Sequence, residues 1–83
     1  MSKDVVKQPD AQLLFDAGAL VKATVVKAPL EEKGCNLIFE GKNKQQYVFA
    51  SARKPKEPRI FKTYDGAIQM AERLGFKKVE VAL

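Results

Sequence analysis

The sequence predicts a small α+β domain: a mostly antiparallel sheet of four to five short strands, a short N-terminal helix, and one helix before the last strand. Three observations carry this. The chain has 83 residues, which leaves room for a single domain. Runs rich in β-branched and aromatic residues are punctuated by Gly34, by Gly41 with Asn43, and by Pro55 with Pro58, the pattern of short strands and turns. Residues 64–74 switch to apolar spacings of three and four, the period of a helix face. Helices packed on one side of a small sheet give each half-buried strand its apolar cover.

Taken in order, residues 1–9 are polar and without periodicity, and they predict a flexible N-terminal arm before a single domain over 10–83. Residues 10–18 read as a short helix, capped by Asp10 and stopped by a left-handed Gly18. Leu13, Leu14 and Ala17 must dock on the rest of the domain, because so short a helix is marginal alone. Residues 20–28 form the first strand, with Val21, Ala23 and Val25 on one face and a bulge or strand end near Val26 and Lys27. A polar connection over 30–34 follows, then strands at 35–40 and 46–51 joined by a turn at 41–44, the clearest hairpin in the chain. Residues 53–58 are a charged loop whose two prolines oppose regular pairing. A short strand at 59–62 leads to Thr63, a good cap for the helix over 64–74, with Asp65 in its first turn. Its inner face is Ala67, Ile68, Ala71 and Leu74. Gly75 and Phe76 read as a left-handed stop with a hydrophobic return contact, and residues 79–83 close the chain as a strand.

Composition removes several function classes. The chain has no histidine and one cysteine, Cys35, so a zinc site, a disulfide and the commonest general base are all missing. No cofactor, metal or enzymatic activity is expected, and Cys35 reads as a small strand residue. Glu31 and Glu32 read as solvated loop carboxylates. The glycines form no phosphate-binding fingerprint. No stretch has the length of a signal peptide or a membrane span, which predicts a cytoplasmic protein with no membrane partner. The small core expected of such a chain would gain from a homodimer.

Charge is the most informative feature. The chain carries 15 Lys and Arg against 10 Asp and Glu, a net of +5. The excess is local: residues 41–62 hold Lys42, Lys44, Arg53, Lys54, Lys56, Arg59 and Lys62 against Glu57 alone, a net of +6. If the hairpin turn and the proline-bounded loop lie near each other, these seven cations converge on one rim and bind phosphates, with Tyr47 between them placed to stack on a base or sugar. The competing reading is that the lysines are solvated, keep the chain soluble and guard sheet edges. The second helix offers only Gln69 and Arg73 as base readers against Asp65 and Glu72, which argues against sequence-specific reading by that helix.

The C-terminal half carries a resemblance. Tyr47-Val48-Phe49-Ala50, then Arg59-Ile60-Phe61-Lys62-Thr63-Tyr64-Asp65-Gly66-Ala67, then Leu74-Gly75-Phe76-Lys77-Lys78-Val79-Glu80-Val81 resembles small accessory proteins carried by bacterial plasmids, some beside partition genes. The shared pattern is a hairpin, a strand ending in Phe-Lys-Thr, a helix, a Leu-Gly turn and a closing strand. The resemblance implies plasmid maintenance or DNA association and transfers no catalytic or binding residue. The resulting expectation is a basic accessory protein that contacts nucleic acid, DNA ahead of RNA, in the upkeep or regulation of a mobile element. The alternative is a protein-interaction module that docks through a strand edge or the N-terminal helix.

Overall fold

The computed structural model describes residues 4–28, 34–54 and 56–82. Among them the elements are β1 (Asp4–Val6), α1 (Gln8–Asp16), β2 (Leu20–Lys27), β3 (Cys35–Gly41), β4 (Gln46–Phe49), α2 (Tyr64–Leu74) and β5 (Glu80–Ala82). The connection at 30–33, with Glu31 and Glu32, lies outside the described residues, as do 1–3, Pro55 and Leu83.

The strands form one sheet in the order β1-β4-β3-β2-β5. β2, β3 and β4 make the expected antiparallel meander, but β1 runs parallel to β4 and β5 parallel to β2. The α+β class therefore stands, and the sheet is mixed rather than mostly antiparallel. The cause is the position of the helices. A helix between two strands returns the chain to its starting level, so the strands it joins point the same way. α1 joins β1 to β2, and α2 joins β4 to β5. Four strands thus run together and β3 alone opposes them.

Several local expectations shift. Asp4–Val6, expected in a loose arm, form an edge strand that pairs with Tyr47, Val48 and Phe49. α1 starts at Gln8, with Lys7 at the cap position and Pro9 in the first turn, where the ring's fixed φ suits a helix start. Asp10, expected as the cap, is instead an acidic first-turn residue. β2 ends at Lys27, the strand end expected near Val26 and Lys27, and a bulge that was not expected falls at its beginning, between Leu20 and Lys22. It turns Val21 outward and leaves Leu20 in the core. The expected strand at 59–62 is reduced to two isolated bridges, Ala50 with Pro58 and Cys35 with Phe61. Pro58 brings no amide donor, and the chain there touches the end of β4 on one side and the start of β3 on the other. In the 41–44 turn the residue with positive φ is Lys44, at 63°, rather than Gly41 or Asn43.

Other expectations hold. Thr63 Oγ1 accepts from the Gly66 amide at 3.1 Å, Gly18 has φ 75° and Gly75 φ 122°, and the Phe76 amide donates to the Ala71 carbonyl at 3.1 Å. Both helices lie on one face of the sheet, over a core in which Ala11, Ala67, Ala71 and Leu74 meet Leu37, Phe39, Val25 and Ala23. The small alanines let the helices approach each other and the strands closely. All five phenylalanines of the chain form a continuous run of rings through this layer. Phe15 meets Phe76 edge-on at 4.7 Å, Phe76 stacks on Phe39 at 5.6 Å, Phe39 meets Phe49 at 6.3 Å, and Phe49 meets Phe61 at 6.0 Å. The run ties α1, the turn after α2, β3, β4 and the segment leading into α2 into one unit.

Candidate nucleic-acid interface

Strand direction decides where the cations stand. The carboxyl ends of β1, β2, β4 and β5 share one end of the sheet, and β3 begins there. Arg53, Lys54, Lys56, Arg59 and Lys62 follow β4 and so lie at this carboxyl end. Lys42 and Lys44 sit in the β3–β4 turn at the opposite end. The three residue steps of β4 alone separate the two groups by about 10 Å, already a full screening length at about 0.1 M salt. The seven cations therefore form two groups, and the convergence on one rim does not occur. Tyr47 stands near the turn end, half-buried and packed against the core. Its ring is engaged there rather than interleaved with the Arg53–Arg59 charges.

The carboxyl end gains two cations that the charge count over 41–62 left out. Lys7 caps α1 and Lys27 ends β2. Pro9 was the available signal for Lys7, since proline in the first helical turn places the cap just before it. Lys27 becomes visible only once the direction of β2 is known. Among the described residues, this end carries Lys7, Lys27, Arg53, Lys54, Lys56, Arg59 and Lys62 against Asp10, Glu57 and Asp65.

The loop after β4 is fastened rather than loose. The Ser51 amide donates to the Glu57 carbonyl at 2.8 Å, and the Glu57 amide donates to the Lys54 carbonyl at 2.8 Å. The Lys54 amide donates to Ser51 Oγ at 3.3 Å, and Lys54 Nζ lies 3.8 Å from the Glu57 carboxylate. Both ends of that ion pair are exposed, so its contribution to stability is small. Arg59 is held more firmly. Its amide donates to the Phe49 carbonyl at 2.8 Å, and its carbonyl accepts from Asn36 Nδ2 at 3.0 Å. Asn36 is the buried polar side chain of the core region, so this bond both satisfies it and fixes Arg59. The guanidinium carbon sits 4.7 Å from the centre of the Phe61 ring, a cation–π distance.

Two clefts open beside Arg59. The first, about 270 Å³, lies between the start of α1 and the end of β4, with Lys7, Pro9, Phe49, Ser51, Ala52 and Arg59 in its wall. The second, about 420 Å³, is bounded by Ser51, Ala52, Arg53, Glu57, Arg59 and Ile60. Cys35 lies below, buried, with its Sγ donating to the carbonyls of Phe61 at 3.6 Å and Thr63 at 3.4 Å. Burial pushes its thiol up, the opposite of what an activated thiolate needs. No helix among the described residues is long and apolar enough to cross a membrane. Comparison with protein-family models, with curated proteins and with solved structures finds no match.

Proposed function

We propose that this protein binds nucleic acid, DNA ahead of RNA, by contacts from the carboxyl end of its sheet to the phosphate backbone. The observation that carries the reading is the gathering of Lys7, Arg53, Lys54, Lys56, Arg59 and Lys62 at one end of the sheet, with Arg53, Lys54, Lys56 and Arg59 on a loop tied by hydrogen bonds of Ser51, Lys54, Glu57 and Arg59. Side chains presented by a fixed loop lose less freedom on meeting a phosphate than those on a mobile one. Lys42, Lys44 and Tyr47 take no part in this contact. Plasmid or mobile-element maintenance is the setting that the C-terminal resemblance implies for such an accessory protein.

The test is a titration with labelled single-stranded DNA, duplex DNA and RNA at about 50 and 200 mM salt, the range over which phosphate-dominated affinity falls steeply. Replacing Lys54, Lys56 and Arg59 with Glu abolishes binding, whereas replacing Lys42 and Lys44 with Glu leaves most of it. Unchanged affinity in the first variant ends the reading.

One observation favours protein interaction as the second reading. Leu13 is 69% exposed on α1, the helix that this reading makes the docking element, and a partner or a second copy of the chain would cover it. Leu13→Asp is the clean probe of that surface. Phe15 is not, because it packs against the core.

A further inference from the structure

The two clefts share a wall. Ser51, Ala52 and Arg59 border both, so the concavities adjoin and make a short path on either side of these residues. We propose that this path holds two consecutive unpaired nucleotides, one base in each cleft with the connecting phosphate on Arg59, and that the protein therefore prefers single-stranded nucleic acid to duplex. The inference rests on the nucleic-acid reading and specifies its substrate.

The chemistry of the first cleft fits a base with a phosphate attached. Pro9 and Ala52 give its wall exposed apolar surface, Phe49 and Ala50 line it while almost fully buried themselves, and the charged members of its wall are Lys7 and Arg59, with no carboxylate among the lining residues. A base of any identity packs on such apolar side chains, while the two cations in the same wall suit the backbone phosphate. Ser51 and Gln8 offer hydrogen-bonding groups to a base edge. The second cleft repeats the combination with Ile60, which is 45% exposed, and Arg53. Its Glu57 carboxylate is turned to Lys54.

Arg59 is the natural phosphate contact because it is already placed. Bonds on both its amide and its carbonyl fix its backbone, and the Phe61 ring lies under its guanidinium. A guanidinium so held gives up little further freedom on forming paired hydrogen bonds to phosphate. A double helix cannot enter either cleft. Their volumes, about 270 and 420 Å³, fall just below and in the lower part of the range of ligand pockets, roughly 300 to 1,000 Å³. Bases in a duplex are stacked and paired, so none can enter without being extruded.

Electrostatics alone would favour the opposite order, since duplex DNA has the higher charge density and the steeper counterion release. A preference for single strands is therefore a specific signature of base contact. The experiment compares a labelled single strand with a hairpin-closed duplex of the same nucleotide count by fluorescence anisotropy at about 100 mM salt. The single strand is expected to bind severalfold tighter, from packing of its bases on Pro9, Ala52 and Ile60. Ala52→Leu narrows both clefts from their shared wall without changing charge, and Ile60→Ser removes the apolar side of the second. Each should lower single-strand affinity severalfold and leave duplex affinity in place, with circular dichroism confirming the native fold.

Equal, salt-dependent binding of both probes by the wild-type chain overturns the single-strand inference and leaves the nucleic-acid reading standing. A single-strand preference that survives both substitutions overturns the assignment to these clefts. Binding of neither probe at about 50 mM salt overturns both proposals.

Discussion

Replacing Gly75 with alanine tests the packing that joins the two helices. Gly75 ends α2 with φ 122°, a conformation that costs a residue with a side chain about 1–3 kcal/mol. A Cβ built there would lie 2.8 Å from Phe15 Cζ and closer still to Cε1. The obstacle is a ring rather than a flexible chain end. Phe15 cannot simply swing away, because its edge meets Phe76 at 4.7 Å and Phe76 stacks on Phe39 at 5.6 Å. Overpacking of this kind costs about 1–3 kcal/mol. Against both stands a gain of about 0.4–1 kcal/mol from the less flexible unfolded chain. The expected net loss is about 1–5.5 kcal/mol, a large part of the 4–12 kcal/mol or so available to a chain of this size at about 0.05–0.15 kcal/mol per residue. Urea unfolding followed by far-ultraviolet circular dichroism reads it directly. The same substitution in a Phe15→Ala background separates strain from clash. With the ring gone only the backbone cost should remain, a coupling of about 1–3 kcal/mol. A loss below about 0.5 kcal/mol in the wild-type background, or an equal loss in both, refutes the argument.

Three further outcomes follow from local chemistry. Lys44 holds φ 63° without being glycine, so Lys44→Asn, which tolerates that region better, should stabilise the chain by about 0.5–1 kcal/mol in the same urea assay. Cys35 is 2% exposed and its thiol is pushed up by burial, so a disulfide reagent at pH 8 should label the native chain slowly and the urea-unfolded chain fast; rapid native labelling would contradict that placement. Lys22 lies 3.0 Å from Glu80, and hydrogen bonding to Glu80, with its charge, raises the Lys22 ammonium above its usual 10.5. A group raised on folding contributes fully below its unfolded value and loses that contribution as pH climbs through the folded one. Any stability advantage over Glu80→Gln should therefore be level to about pH 10 and shrink above it, as unfolding curves from pH 8 to 11 would show.

The helical ends were the most legible part of the fold. Thr63, Gly18, Gly75 and Phe76 act through rules confined to a few neighbouring residues, and each does what its local sequence says. The N-terminal edge strand was not legible. Asp4–Val6 is three residues, too short for an alternation to register, and it is a strand only because β4 offers it a parallel edge; the closing strand was expected over 79–83 and is present as Glu80–Ala82, but its parallel pairing with β2 was not foreseen. The bulge at the start of β2 was missed for a related reason. Alternation of Val21, Ala23 and Val25 looks continuous, but Leu20 pairs with Gly41 in one register and Lys22 with Glu40 in the next. Core shape around the strand start decides which of two adjacent aliphatic residues goes inside.

The split of the basic cluster is a different case, because the sequence contained enough to predict it. Lys42 and Lys44 precede strand 46–49, and Arg53 follows it. A chain that crosses a sheet once leaves its entering and departing loops at opposite ends, whatever the strand order. Convergence of the two groups would have required an even number of crossings between them. The same rule locates the missed cations: Lys7 and Lys27 each leave a strand that runs in the direction of β4, so they stand with Arg53 and Arg59. Counting crossings between charged loops, rather than charges within a window, is what separates a surface that can bind one ligand from two that cannot. Here it moves the weight of the nucleic-acid contact from the hairpin turn to the end where the clefts beside Arg59 open.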